Sequence, residues 1–259
     1  MAKAPRPGTV KTRLSPPLAP EQATALSICF LRDTAENITA VAAQVSGKDR
    51  SAAALIAYTP VGDETLFDGL LPDDFALIAQ RGDGFGERLL AAANDILHSG
   101  YGSVCLIDSD SPTLPPQAYE QAVGELARPG DRIVLGATTD GGYYLIGLKQ
   151  PHAAVFDRIR WSTETVFAET CERAREAAIE VVELPLWYDV DDGPTLEILK
   201  AELLAGMAPG FATLPGYPAQ HTKQFLLAQD LALNAAFEVK PPDPLDVDQQ
   251  DADSQETAE

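Results

Sequence analysis

Short apolar runs alternate with amphipathic stretches through the first four-fifths of this chain, and that alternation restricts the possible folds more than any other feature. Continuous apolar runs at 53–58, 75–80, 104–107, 133–136, 144–148 and 181–184 read as buried strands. Helical patterns lie between them at about 20–44, 85–99, 116–127, 163–178 and 194–204, with Pro20 suited to a first turn and Asp192 to an N-cap ahead of Gly193-Pro194. Strand, helix, strand in repetition requires crossover connections, so the expected fold is α/β, a three-layer Rossmann-like sandwich around a mostly parallel sheet. In such sheets ligands bind beyond the carboxyl ends of the strands. A further helix is expected at 219–237, after a Gly/Pro-rich connection at 206–218.

Composition sets the outer limits. A chain of 259 residues with 45% hydrophobic content can bury one sizeable core. The formal net charge of -20 argues against nonspecific binding to nucleic acid or to an anionic membrane. Cys29, Cys105 and Cys171 are too scattered for a disulfide framework or a zinc site and suit a reducing cytoplasm, where we expect the protein to be soluble. No 18-residue apolar run is present. The charge is uneven. Residues 241–259 hold seven acids and no base, which reads as a solvated tail, while Lys3, Arg6, Lys11 and Arg13 precede the first acid, Glu21. The expected division is a main domain at 1–205, a helical appendage at 206–240 and the acidic tail at 241–259.

Four polar motifs fall at the ends of expected strands or at the start of the chain. In Pro5-Arg6-Pro7-Gly8-Thr9-Val10-Lys11-Thr12-Arg13-Leu14, a glycine lets backbone approach an oxyanion while Lys11 and Arg13 add positive charge. The spacing is not that of a Walker A loop, G-x-x-x-x-G-K-S/T. Asp108-Ser109-Asp110 follows an apolar strand directly, and two carboxylates so placed suit a hard divalent cation, Mg²⁺ or Mn²⁺; a Ser/Asp turn is the plainer alternative. Thr138-Thr139-Asp140-Gly141-Gly142-Tyr143 reads both as a hairpin and as a substrate loop, with Asp140 toward an acceptor. In Tyr188-Asp189-Val190-Asp191-Asp192, Asp189 could join the metal and Asp191 could act as a general base. Gly82-Asp83-Gly84-Phe85-Gly86-Glu87-Arg88 lacks the G-x-G-x-x-G of a dinucleotide site and reads as a turn and helix start, or as a nucleotide contact through Glu87 and Arg88.

Taken in order, A-K-x-P-x-P-G-x-V-K-T-R-L, G-x-G-E-R-L, D-S-D-S-P-x-L, T-D-G-G-Y-Y-L-I-G-L, W-S-T-E-T-V and D-V-D resemble a bacterial glycosyltransferase-like family of GT-A fold, the fold of nucleotide-diphospho-sugar transferases, whose members are often labelled radical-SAM- or selenodomain-associated transferases. The resemblance runs from the start of the chain to about Leu204. It implies that Gly8, Lys11 and Arg13 hold a nucleotide diphosphate, that Asp108 and Asp110 hold the metal, and that Asp140, Gly141, Gly142 and Tyr143 form the acceptor-side loop. It also implies an apolar strand ahead of the A-K-x-P segment, so the first strand of this chain is expected to be short. The function expected is a metal-dependent transferase that uses a nucleotide-activated donor and a small-molecule acceptor. The alternatives are a nucleotidylyltransferase releasing pyrophosphate, and a nucleotide-binding regulatory module without turnover.

Overall fold

Seven strands and six α-helices, described over residues 1–47 and 51–237 of a computed structural model, form two adjoining sheets covered by helices. The acidic stretch 241–259 lies outside the described residues. Strands β1 (Ala2–Lys3), β2 (Leu55–Thr59) and β3 (Ala76–Ala79) pair in parallel in that order. The second sheet runs β4 (Val104–Ile107), β6 (Tyr143–Leu148), β5 (Arg132–Thr138), β7 (Glu180–Trp187). Here β5 and β7 are parallel, and β6 alone is reversed between β4 and β5. The Met1 ammonium donates to the Ile107 carbonyl at 2.7 Å, which sets the start of β1 beside the end of β4. Behind Met1, between β2 and β4, is an apolar cavity of about 230 Å³ whose lining includes Val41, Ile56, Leu106 and Leu126.

The central strands carry almost no polar side chains because both their faces are covered. Ile133, Val134, Leu135, Tyr144, Leu145, Ile146 and Leu148 are all fully buried. Helices α1 (Pro20–Val45), α3 (Pro116–Ala127) and α5 (Gly193–Ala205) pack with Tyr144, Leu145 and Trp187 in the larger cluster. Helices α2 (Phe85–His98) and α4 (Val166–Glu176) pack on the opposite face with Ile133, Leu135 and Ile146. Burial of this kind stabilises by roughly 1.5–3 kcal/mol per large side chain. The fit depends on one glycine: a Cβ at Gly136 of β5 would collide with the Tyr144 ring, whose hydroxyl donates to the Pro185 carbonyl at 2.8 Å.

Helix α6 (Gln220–Phe237) lies against α1 and α5, and its Leu226 joins the larger core cluster. Its amino end is capped from outside. Asp33, fully buried on α1, accepts the backbone N–H groups of His221 at 3.0 Å and Thr222 at 2.8 Å and the Thr222 hydroxyl at 2.6 Å. Those N–H groups have no partner within their own helix, so a carboxylate from a neighbouring helix does the work of an N-cap. Burial pushes the Asp33 carboxyl above its ordinary range, although the three donors pull the other way. Asp33→Ala leaves these donors without an acceptor and is expected to cost about 2–3 kcal/mol, read as a lower urea midpoint at unchanged m-value. Asp33→Asn, which keeps one acceptor oxygen, is expected to cost less.

Candidate active site

The sheet topology brings the strand-end motifs to one place. Because every strand except β6 ends on the same side, the segments after β1, β4, β5 and β7 meet at one edge, and β6 begins there. That edge opens into a cleft of about 400 Å³ whose lining includes Lys11, Arg13, Gln80, Arg88, Asp108 and Asp191. Asp110 also faces this space, as do Ser27 and Leu31 of α1.

The basic loop starts with a tight turn. Thr9 N–H donates to the Arg6 carbonyl at 3.0 Å, with Pro7 leading the turn and Gly8 at φ +74°, a conformation that favours glycine. Lys11 also has positive φ, +49°, which costs a non-glycine residue about 1 kcal/mol or more. Its side chain offsets that. The ammonium, only 5% exposed, donates to Asp110 Oδ1 at 2.7 Å, Asp191 Oδ1 at 2.9 Å and the Val190 carbonyl at 2.8 Å. Burial by itself would lower the Lys11 pKa, but Asp110 and Asp191 together raise it, so the ammonium stays charged. Arg13, 71% exposed, binds Asp191 Oδ2 through one nitrogen.

The acids outnumber these cations. Asp108, just past β4, accepts the Ser111 hydroxyl at 2.9 Å, yet burial, then Asp110 and Asp189, hold its carboxyl well above the usual range. Asp189, past β7, is raised to about 7, first by burial and then by Asp140 and Asp191. Asp140 closes the β5–β6 hairpin, with Oδ1 accepting the Thr138 hydroxyl at 2.6 Å and Gly142 N–H at 2.9 Å. Gly141 has φ +89°, and a Cβ there would collide with the Glu164 carbonyl, so this turn requires glycine. Uncompensated negative charge on oxygen donors alone is the donor chemistry of a hard divalent cation. Asp108, Asp110 and Asp189 supply oxygen donors of that kind at this edge, although their oxygens do not all lie within 4.8 Å of one another.

Two groups of residues singled out from sequence lie elsewhere. Glu87 is the third residue of α2, and its Oε2 accepts the N–H groups of Asp83 at 2.8 Å and Gly84 at 3.2 Å. It satisfies the helix's own amino end and does not line the cleft, in keeping with the turn and helix start that the sequence offered beside a nucleotide contact. Gly141, Gly142 and Tyr143 form the hairpin and not the cleft wall. The Tyr143 ring packs edge-on to Trp161 at 6.4 Å. Trp161 in turn explains Gly86, where a Cβ would stand 2.8 Å from the indole. Arg88 does line the cleft, its guanidinium 5.7 Å from the Phe85 ring and its Nε buried without a partner. Sequence reading missed Ser27, which sits mid-helix with no local signal. It also missed the Val190 carbonyl, which no side-chain pattern can announce. Among the described residues, the group of three possible ligands whose atoms lie within 4.8 Å of one another is Asp33, Glu36 and His221, but the Asp33 oxygens already serve the α6 cap.

A profile described as "Uncharacterized protein conserved in bacteria (DUF2064)" matches residues 42–163. A solved structure from Desulfovibrio desulfuricans G20, provisionally described as a nucleotide-diphospho-sugar transferase, is 30% identical over 90% of this chain and 94% of that one, with a TM-score of 0.71. The chain belongs to this bacterial glycosyltransferase-like family of GT-A fold. A CMP:2-keto-3-deoxy-manno-octonic acid synthetase complexed with CTP matches at 15% identity over 69% of this chain and 88% of that one, with a TM-score of 0.46, too weak to support an inference. No curated protein matches. Among the described residues of this family member, no helix is long and apolar enough to cross a membrane.

The charge imbalance has a measurable sign. Because the folded-state pKa of Asp189 is raised from 3.8 to about 7, its contribution to stability is fully present below the ordinary value and is lost as pH rises through about 7. Asp189→Asn is therefore expected to melt above the parent at pH 8 in chelator, by a margin that shrinks as pH falls toward 4.

Proposed function

We propose that this chain is a metal-dependent, glycosyltransferase-like transferase acting on a nucleotide-diphosphate sugar. The observation that carries this reading is the meeting, in one cleft, of a basic loop with the carboxylates of Asp108, Asp110 and Asp191 at the strand ends, with Asp189 close behind Asp191. A diphosphate needs both: positive groups for its own charge, and a divalent cation held by acids. The family's structural relative of that description supports the substrate class.

In this reading Asp108 and Asp189, with Asp110, hold Mg²⁺ or Mn²⁺. When bound, the ion neutralises charge that develops on the diphosphate as the bond to the sugar breaks. Arg13 and Arg88 line the same cleft and place further positive charge around the leaving group. The acceptor oxygen forms the new bond to the sugar carbon and gives up its proton to a carboxylate. Asp140 suits that role, since Thr138 and Gly142 fix one of its oxygens and leave the other open at an exposed turn. Asp191 suits it less well, because each of its oxygens already holds a cationic donor.

A thermal-shift panel of nucleotide sugars and nucleoside triphosphates, each with and without Mn²⁺, tests the proposal. A donor at a hundred times its Kd is expected to add about 2.7 kcal/mol, roughly 5–10 °C for a chain of this size, and only with metal present. Stabilisation by a triphosphate alone, with pyrophosphate released on turnover, would replace this reading with nucleotidyl transfer. Asp108→Asn is expected to lose at least the ~10–100-fold that removing an outer metal partner costs, measured as turnover of the donor so identified.

A further inference from the structure

Asp191 is the point where the two cations of the opening loop converge, across about 180 residues of sequence. The Lys11 ammonium has three N–H donors, and Asp191 Oδ1, Asp110 Oδ1 and the Val190 carbonyl take one each. Arg13 takes the second Asp191 oxygen. The platform beneath is rigid. Val190 N–H donates to the Asp110 carbonyl at 2.9 Å, and the N–H groups of Asp191 and Asp192 donate to Thr195 Oγ1 at 3.0 and 3.1 Å. Asp192 then caps α5 by accepting Thr195 N–H at 3.0 Å. The loop residues Thr9, Val10, Lys11, Thr12 and Arg13 line one wall of the cleft, with the Lys11 ammonium itself only 5% exposed and its donors fully used.

We infer that Asp191 is a positioning residue and neither the metal ligand nor the base: by holding Lys11 and Arg13 against the start of α5, it fixes the basic wall that faces the nucleotide diphosphate. This rests on the function proposed above. It divides the five acids by role. Asp108, Asp110 and Asp189 remain for the ion, Asp140 for the acceptor, and Asp191 for the loop. Lys11 acts through that clamp, and Arg13 keeps most of its guanidinium free for the ligand.

The test measures metal and nucleotide binding separately. Binding of Mn²⁺ alone is followed by the EPR signal of the free ion, and ADP, GDP, UDP and CDP are titrated in saturating Mn²⁺. Asp191→Asn is expected to bind Mn²⁺ within about threefold of the parent and to bind the preferred diphosphate about 10–100-fold more weakly. Lys11→Met should weaken the diphosphate similarly, and the double variant should be no worse than either single one, because both break the same clamp. Loss of Mn²⁺ binding by more than tenfold in Asp191→Asn would make Asp191 a ligand and overturn the inference, as would an unchanged diphosphate affinity or additive effects in the double variant. Should Asp191→Asn not fold, Lys11→Met carries the test: weaker diphosphate with unchanged Mn²⁺ supports the clamp, and unchanged diphosphate overturns it. A parent protein that binds neither Mn²⁺ nor any of the four diphosphates sinks the proposed function itself, whereas a binding parent with an indifferent Asp191→Asn sinks only the clamp.

Discussion

One buried ammonium holds the candidate site together. Lys11 joins the loop after β1 to the ends of β4 and β7 through three oxygen acceptors, in surroundings where an unpaired charge would be costly. The pairing is local and incomplete. Two of the acids gathered at the same edge, Asp108 and Asp189, form no ion pair among the described residues, and burial together with their acidic neighbours shifts both upward. A folded protein keeps such an arrangement where binding a positively charged ligand repays it.

Topology decides that these acids meet at all. Parallel strands end on one side, so acidic motifs roughly 30 to 80 residues apart in sequence finish at a common edge with the opening loop. The reversed strand β6 contributes differently. It places the Asp140 turn at that same edge, and the turn is locked by the Thr138 hydroxyl, by Gly142 N–H and by the close approach of Glu164 to Gly141. Rigid supports of this kind let a carboxylate keep one oxygen committed and the other available.

The strands and helices were largely legible in the residues. Strand β4 and helix α3 occupy the expected spans, and the other main elements differ by a few residues at their ends, where pairing and caps, not periodicity, set the limits. The Asp192 cap and the Asp-Gly-Gly hairpin were legible for the same reason, since each depends on neighbours within a few positions. For Glu87 the sequence left two local readings open, and in the structure its carboxylate caps N–H groups within reach. Asp33 gave no sign of its role, because the helix it caps begins almost 190 residues later.

The sequence by itself determined the fold class, the positions of the acidic motifs at strand ends and the concentration of positive charge in the opening loop. Those follow from burial period and local chemistry, which act over a few residues. The tertiary structure decided how the acids divide their work: Asp191 to two cations, Asp140 to its own turn, Asp108 and Asp189 to an uncompensated pair. Charge interactions depend on distance and burial, and neither exists for these groups until the strands have assembled.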